Sequence, residues 1–407
     1  MNPYVLTFRS SEEIVDEFKK IGVDWGGMDI MRRKAFLRCL KIVKLPNFSA
    51  NILKQEMLSL GGDAALSRGS LTGKDRESDC ILLGTPAQIS GLCLKLKKQP
   101  FGLSLLSGKI RMALDNFENS RVVLKVGSRR ISFGEKTFIM GIVNATPDSF
   151  SGDGFLGAKP DRVLSYAKEM VRCGADMIDI GGESTRPGSR GVSARIEAER
   201  VLPFVKVLAG ALRVPVSIDT SKSEVAHRAL DLGATIVNDI SALRFDKKMA
   251  KLVARYKASL ILMHMKGTPR SMQEGPQYYD VMEEVILFLE DALKRALDAG
   301  VAFENIAIDP GIGFGKSLIH NLEIIDRLRS LKALGRPILV GLSRKSFIGK
   351  VLKCDNAAER IWGTAAAISA AIGNGADIVR VHDVKEMAQV AKMADIIARG
   401  ASQKSRG

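Results

Sequence analysis

From residue 137 onward, short runs of β-branched and apolar residues alternate with longer stretches in which apolar positions recur every three or four residues. A run of the first kind suits a strand covered on both faces, and a stretch of the second kind suits a helix with one buried stripe. The pattern predicts strands at residues 137–143, 177–180, 214–219, 235–238, 260–263, 306–309, 338–342 and 378–381. Helical patterns such as 161–173 and 279–299 fill the intervals, and a final one, 384–398, follows the last strand. Eight strand–helix units over about 260 residues carry the signature of a TIM (β/α)8 barrel. A doubly wound open sheet is the rival, and the number of units at this length speaks against it.

The position of the polar residues sharpens this reading. Each predicted strand is apolar along its body and turns polar at its C-terminal end, where such barrels carry their chemistry. The ends read Asn144, Gly181-Gly182-Glu183, Asp219-Thr220, Asn238-Asp239, His264, Asp309, Ser343-Arg344-Lys345 and Arg380-Val381-His382. Any one of these could be a helix cap, but so many at one rim exceed what capping needs.

Residues 1–130 form a separate expectation, a smaller α/β module of unknown function ahead of a barrel at 137–400. Ser10-Ser11-Glu12-Glu13 opens a capped helix that runs to Lys20 and stops at Gly22. Residues 52–60 before Gly61-Gly62 also read as helix, 80–83 as a short strand, and 85–98 as a helix ending before Pro100. No chemical constellation stands out in this part.

Composition narrows the class. With 407 residues, 46% hydrophobic and 26% charged, the chain resembles an ordinary globular protein, and no apolar run approaches the roughly 20 residues of a membrane span. The N-terminus lacks a basic stretch leading into an apolar segment, so a cytoplasmic protein without membrane partner is expected. Five scattered cysteines with no C-x-x-C pair argue against a disulfide framework or a zinc site. The net charge of +16 is spread along the chain and accompanies no nucleic-acid-binding motif, so it points to solvated faces and attraction of an anionic substrate.

The rim groups suggest a ligand. Asp219, Asn238 and Asp309 end the third, fourth and sixth predicted strands, so their side chains can converge over the barrel mouth. Carboxylates and an amide in a dry pocket suit a flat heterocycle with adjacent N–H donors, and a carboxylate there can stabilise positive charge developing on the ring. Lys345, Arg380 and His382 bring cationic or donor groups to the sector where these barrels often hold phosphate. Arg380 and His382 are two apart on a strand and point to the same side. Three loops dense in Gly, Pro, Ser and Asp follow the first, second and sixth strands, at 144–154, 183–188 and 309–316, and are suited to fold over a substrate.

Taken in order, the segments Met140-Gly141-Ile142-Val143-Asn144-Ala145-Thr146-Pro147-Asp148-Ser149-Phe150-Ser151, Gly182-Glu183-Ser184-Thr185-Arg186-Pro187-Gly188, Ser217-Ile218-Asp219-Thr220, Val237-Asn238-Asp239-Ile240, Asp309-Pro310-Gly311, Gly341-Leu342-Ser343-Arg344-Lys345-Ser346 and Arg380-Val381-His382-Asp383-Val384 resemble those of the dihydropteroate synthases. The resemblance covers 137 to about 398, and the first loop with the Ser-Arg-Lys segment is its most specific part. Ala145, the Gly152-Asp153-Gly154 spacing and the long N-terminal extension depart from the commonest and shortest members.

The resemblance implies condensation of 6-hydroxymethyl-7,8-dihydropterin diphosphate with 4-aminobenzoate, giving 7,8-dihydropteroate and diphosphate in folate biosynthesis. It implies an SN1-like displacement and sensitivity to sulfonamides. Asp219, Asn238, Asp309 and Lys345 would bind the pterin, with Asp219, Asp309 and Lys345 as the catalytic groups. Asn144, Thr185, Arg380 and His382 would hold the diphosphate, with Mg2+ beside Asn144. Asp148, Phe150, Thr185, Arg186, Pro187, Phe314 and Ser343 would form the aminobenzoate site once the loops close. Partners would be these small molecules, not nucleic acid, and a homodimer through outer helices is compatible with such a barrel.

Two other readings share parts of the pattern. A methyltetrahydrofolate-dependent corrinoid methyltransferase would use Asp219, Asn238 and Asp309 but would not need Asn144, Arg380, His382 or the Ser-Arg-Lys segment. A non-catalytic barrel acting as a binding module would not need the full set of rim groups.

Overall fold

Alternation of buried and exposed positions organises the first part of the chain. In the computed structural model, which describes residues 2–8, 10–119, 121–146, 154–184, 189, 191–272 and 274–399, Met1–Glu118 and Asn119–Gly407 form two separate units. The first unit contains a three-stranded antiparallel sheet of β1 (Arg38–Pro46), β2 (Asp63–Leu66) and β3 (Glu77–Gly84), with β3 central. Along β3, Ser78, Cys80, Leu82 and Gly84 are buried while Glu77 and Asp79 face water. Helices Asn47–Leu58, Pro86–Leu96 and Leu103–Glu118 cover the buried face with Leu53, Met57, Ile89, Leu92 and Ile110. The helix Ser11–Ile21 starts where the Ser10 hydroxyl accepts from the Glu13 N–H and stops at Gly22, whose φ of 82° reverses the chain.

The second unit begins earlier than the sequence pattern suggests. A hairpin of β4 (Val123–Val126) and β5 (Arg129–Ser132) precedes the barrel, and its Leu124 and Val126, with Phe133, pack into the barrel's own core. The boundary between units therefore lies at 118/119 and not near 130. The alternation of four-residue strands around Gly127 gives no hint of which unit the hairpin joins; only its apolar face decides.

Eight parallel strands follow: β6 (Phe138–Asn144), β7 (Met177–Gly181), β8 (Val216–Asp219), β9 (Ile236–Asp239), β10 (Ser259–Met263), β11 (Ile306–Asp309), β12 (Leu339–Gly341) and β13 (Ile378–Val381). They pair in the order β11-β10-β9-β8-β7-β6-β13-β12, and a bridge between Ile308 and Ile338 brings β11 to the β12 side. The sheet thus closes as a (β/α)8 barrel, and the open doubly wound sheet is excluded. Residues on the outer faces, such as Ile178, Ile218, Val237 and Ile308, join one core with the surrounding helices.

Side-chain alternation then sorts the barrel interior into layers. The lower layer contains Met140, Met177, Ile236, Ile261, Leu339 and Ile378, sealed by the hairpin residues from below. Each of these large side chains contributes about 1.5–3 kcal/mol by leaving water. Two residues further along, β7, β9, β11 and β13 change character and place Asp179, Asn238, Asp309 and Arg380 there. The apolar layer is the floor on which the polar one stands.

Candidate active site

The polar layer is joined through a residue that the rim pattern did not single out. Asp179, fully buried in the middle of β7, accepts through Oδ2 from Arg380 Nε at 2.6 Å and from Asn238 Nδ2 at 3.1 Å. Arg380 also donates through a terminal nitrogen to Asp219 Oδ2 at 2.9 Å. One guanidinium and one amide thereby tie together β7, β8, β9 and β13. A carboxylate inside the otherwise apolar run Met177-Ile178-Asp179-Ile180 was the available sequence signal, because a charge in a strand body is costly without a specific partner.

A second group lies at the ends of β6 and β13. Asn144 Nδ2 is 3.4 Å from His382 Nε2, and His382 Nδ1 is 3.2 Å from the Ser343 hydroxyl, which also accepts from the His382 backbone N–H at 3.3 Å. Neighbouring Arg344, in the left-handed region at φ 58°, forms a two-pronged ion pair with Asp383. That pair joins the loops after β12 and β13.

The third group surrounds the loop after β11. Asp309 Oδ1 accepts from the Gly311 N–H at 2.7 Å. Gly311 has φ 67°, and a Cβ there would sit 1.9 Å from the His264 carbonyl oxygen, so no other residue fits this turn. Lys345 donates to the Ile312 carbonyl and lies 4.4 Å from the centre of the Phe314 ring. Lys316 is buried beneath the loop and donates to the carbonyls of Gly311 at 2.8 Å and Phe314 at 3.0 Å. His264, although at a strand end, is buried 2.9 Å from Lys316 Nζ and does not join the other rim groups. Asp239 likewise points outward, capping Ser241 and Leu243.

Electrostatics follow from burial. Loss of water raises the Asp219 carboxyl to about 7, with Arg380 opposing and Asp179 adding to the rise. Burial also raises Asp309, against the Gly311 N–H and Lys345. It lowers Lys345 to about 8, with Asp309 opposing the fall. The rim therefore holds a carboxyl, Asp219, and a lysine, Lys345, that change charge close to neutral pH beside a second raised carboxyl, Asp309, an arrangement typical of sites that handle charge development.

Of the sequence-predicted site residues, Asp219, Asn238 and Arg380 are brought into one network. Asn144, His382 and Ser343 form another, and Asp309, Lys345 and Phe314 meet at the β11 loop. Asp148, Phe150, Thr185, Arg186 and Pro187 lie outside the described residues. The stem of the loop that includes residues 185–188 is anchored: Glu183 accepts from the Val192 N–H at 3.0 Å and from Lys222, which also binds the buried Glu197. That anchor, too, was not visible in the rim pattern.

A barrel whose mouth gathers buried carboxylates, an amide and two cations has the character of a heterocycle-binding enzyme. The family of pterin binding enzymes matches residues 140–382, and the chain belongs to it. The chain is 47% identical to the dihydropteroate synthase of a Synechocystis species over 276 residues, 68% of this chain and 95% of that one. Its fold superposes on the dihydropteroate synthase of Yersinia pestis, solved with a sulfonamide drug complex, at a TM-score of 0.65 and 39% identity, covering 69% of this chain and 100% of that one. Within the pterin-binding enzymes it is therefore a member of the dihydropteroate synthases, transferases of folate biosynthesis. A third relative, from Halobacterium salinarum, is named as a probable bifunctional folylpolyglutamate synthase/dihydropteroate synthase; it is 39% identical over 395 residues, 96% of this chain and 47% of that one. The match extends through the first unit, so the N-terminal extension is shared with at least that relative. Among the described residues no helix is long and apolar enough to cross a membrane.

Proposed function

We propose that the barrel mouth carries out the family's condensation with the three groups in distinct roles. Asp219, Asn238 and Asp309 accept the N–H donors of the pterin, with Lys345 as the neighbouring cation. Asn144, Arg380 and His382, with Thr185, hold the diphosphate of 6-hydroxymethyl-7,8-dihydropterin diphosphate. Asp148, Phe150, Thr185, Arg186 and Pro187 form the 4-aminobenzoate site with Phe314 and Ser343. The observation that carries this reading is the joining of Asp219, Asn238 and Arg380 in one buried network beside the Asn144–His382–Ser343 cluster.

The chemistry follows from the charges. The bond between the exocyclic methylene carbon and the diphosphate oxygen breaks, and its electron pair leaves with the diphosphate. Arg380 and His382 offset the charge gained by the leaving group, while Asp219 and Asp309 stabilise the cation left on the pterin. The amine of 4-aminobenzoate bonds to the methylene carbon and loses a proton, giving 7,8-dihydropteroate.

The residues present suit Mg2+ in the manner of a substrate-bound ion. Among the described residues no cluster of three acidic, histidine or cysteine side chains could hold a metal alone. Asn144, with its amide nitrogen toward His382, has an amide oxygen to offer at the barrel rim. Mg2+ prefers few protein ligands together with waters and phosphate oxygens. The Asn144 oxygen and the substrate diphosphate would hold it, and when bound it supplies charge neutralisation for the leaving group. A cytoplasmic location suits these soluble metabolites.

An assay of the full chain with pterin diphosphate, 4-aminobenzoate and Mg2+ tests the reading. Dihydropteroate and diphosphate should form in equal amounts, and excess chelator should stop turnover. Undiminished turnover in chelator would remove the metal. Methyl transfer from methyltetrahydrofolate to a corrinoid in place of condensation would favour the rival enzyme class.

A further inference from the structure

Asp179 combines features that packing alone does not call for. It is fully buried one layer above Met177, its Oδ2 is shared by Arg380 and Asn238, and its Oδ1 is buried without a hydrogen-bond partner among the described residues. The residue paired with it on β8, Ser217, is also fully buried with an unpartnered hydroxyl. A carboxylate kept for stability would satisfy both oxygens, because an orphaned buried acceptor costs free energy. Here the satisfied oxygen engages two groups of the substrate pocket and the other engages none.

We propose that Asp179 is a positioning residue for the condensation: it locks Arg380 and Asn238 to one another and holds the guanidinium on Asp219 until substrate binds. The proposal rests on the pterin-site reading above. A free Arg380 has several rotamers, but with Nε fixed on Asp179 its remaining nitrogens are confined to the side of the pocket where Asp219 sits. The same oxygen orients the Asn238 amide so that its nitrogen faces Asp179 and its oxygen is left for a ring N–H. Asp179 acts through these two residues and need not touch the substrate.

The test uses the full chain and the isosteric variant Asp179→Asn, with Arg380→Lys and the double variant alongside. Asp179→Asn should lower kcat/KM for pterin diphosphate by about a hundredfold, the scale of a small misplacement in a closed site, and leave the KM for 4-aminobenzoate within about twofold. The double variant should lose clearly less than the product of the two single losses, since Asp179 acts in part through Arg380. The acidic limb of the pH profile should also move to lower pH. Asp219 faces Arg380, Asp179, Glu197 and Asp239, with Lys345 nearby, and only the Asp179 charge is removed. Wild-type rates in Asp179→Asn, or additive losses in the double variant, would overturn the proposal. A rate loss that disappears when the variant is assayed well below its melting temperature would also overturn it, by showing a purely structural role. If Asp179→Asn does not fold, calorimetric titration of Arg380→Lys and Asn238→Ala with pterin diphosphate replaces it. Coupled losses in their double variant support a shared anchor, and additive losses refute one. Failure of the wild type to bind pterin diphosphate would strike the pterin-site reading itself, which these variants presuppose.

Discussion

Asp395 at the barrel floor and Asp179 at its mouth are both buried carboxylates paired with an arginine, yet the protein treats them in opposite ways. Asp395 gives Oδ2 to the Thr137 N–H at 2.7 Å and Oδ1 to the Thr137 hydroxyl at 2.8 Å and to Arg399 at 2.9 Å. Every acceptor is used, and the C-terminal helix Val384–Arg399 is pinned to the start of β6. Asp179 leaves one oxygen orphaned and loads the other. Above the apolar layer, likewise, Asp219, Asp309 and Lys345 are held with their ordinary ionisation disturbed, whereas the floor beneath contains Met and Ile side chains packed against the hairpin. The floor maximises cohesion. The mouth gives up stability to keep charges ready for a substrate, a trade familiar where binding sites are preorganised.

Substitutions at the two ends should therefore separate activity from stability. The largest effect belongs to the mouth: Asp309→Asn or Asp219→Asn should cost about 3 kcal/mol of transition-state stabilisation. Neither should lower the melting temperature, since a strained buried charge is removed. Steady-state kinetics and a thermal melt on the same preparations check this, and a destabilised but fully active Asp309→Asn would reverse the assigned roles. At the floor, Asp395→Ala should lose about 2 kcal/mol of stability, because the buried Thr137 N–H and the Arg399 Nε lose their acceptor. Its turnover per folded molecule should match wild type. Denaturant unfolding with active-site titration measures both, and a specific catalytic defect would mean that the two ends are coupled.

Titration sharpens the contrast with smaller effects. If Asp219 must be ionised and Lys345 protonated, kcat/KM for pterin diphosphate should follow a bell with limbs near the raised Asp219 value of about 7 and the lowered Lys345 value of about 8. Beyond each limb the rate should change about tenfold per pH unit. A flat profile from pH 6 to 9 would break the assignment. Stability runs the other way on the acid side. A carboxyl raised in the folded state contributes stability below its unfolded value of about 3.9. That contribution is lost as pH rises toward about 7. Relative to Asp219→Asn, the wild type should become less stable across that window and change little above it, which melting curves at several pH values would reveal.

Much of this molecule was legible from the order of its residues. The eight strands were placed within a few residues, and β11 and β13 match at both ends, because a strand buried on both faces must be apolar throughout and must end where polar groups begin. The rim residues Asn144, Asp219, Asn238, Asp309, Lys345, Arg380 and His382 could be read for the same reason. Other features were not readable, since they depend on partners far away in the chain. His264 and Asp239 carry the same rim signal as Asp219, yet one is buried against Lys316 and the other turns outward to cap a loop. The hairpin Val123–Ser132 looks like part of the preceding module until its apolar face is seen closing the barrel floor.

The sequence by itself determined the periodicities, and these determined the barrel, because only one closed arrangement buries eight two-faced strands under eight amphipathic helices. What the tertiary structure decided is which polar groups meet. Asp179 and Arg380 are 201 positions apart and Asn144 and His382 are 238 apart, and no local pattern encodes such a pairing. Each contact arises from strand register and barrel closure, which set neighbours by geometry across the whole ring and not by position along the chain.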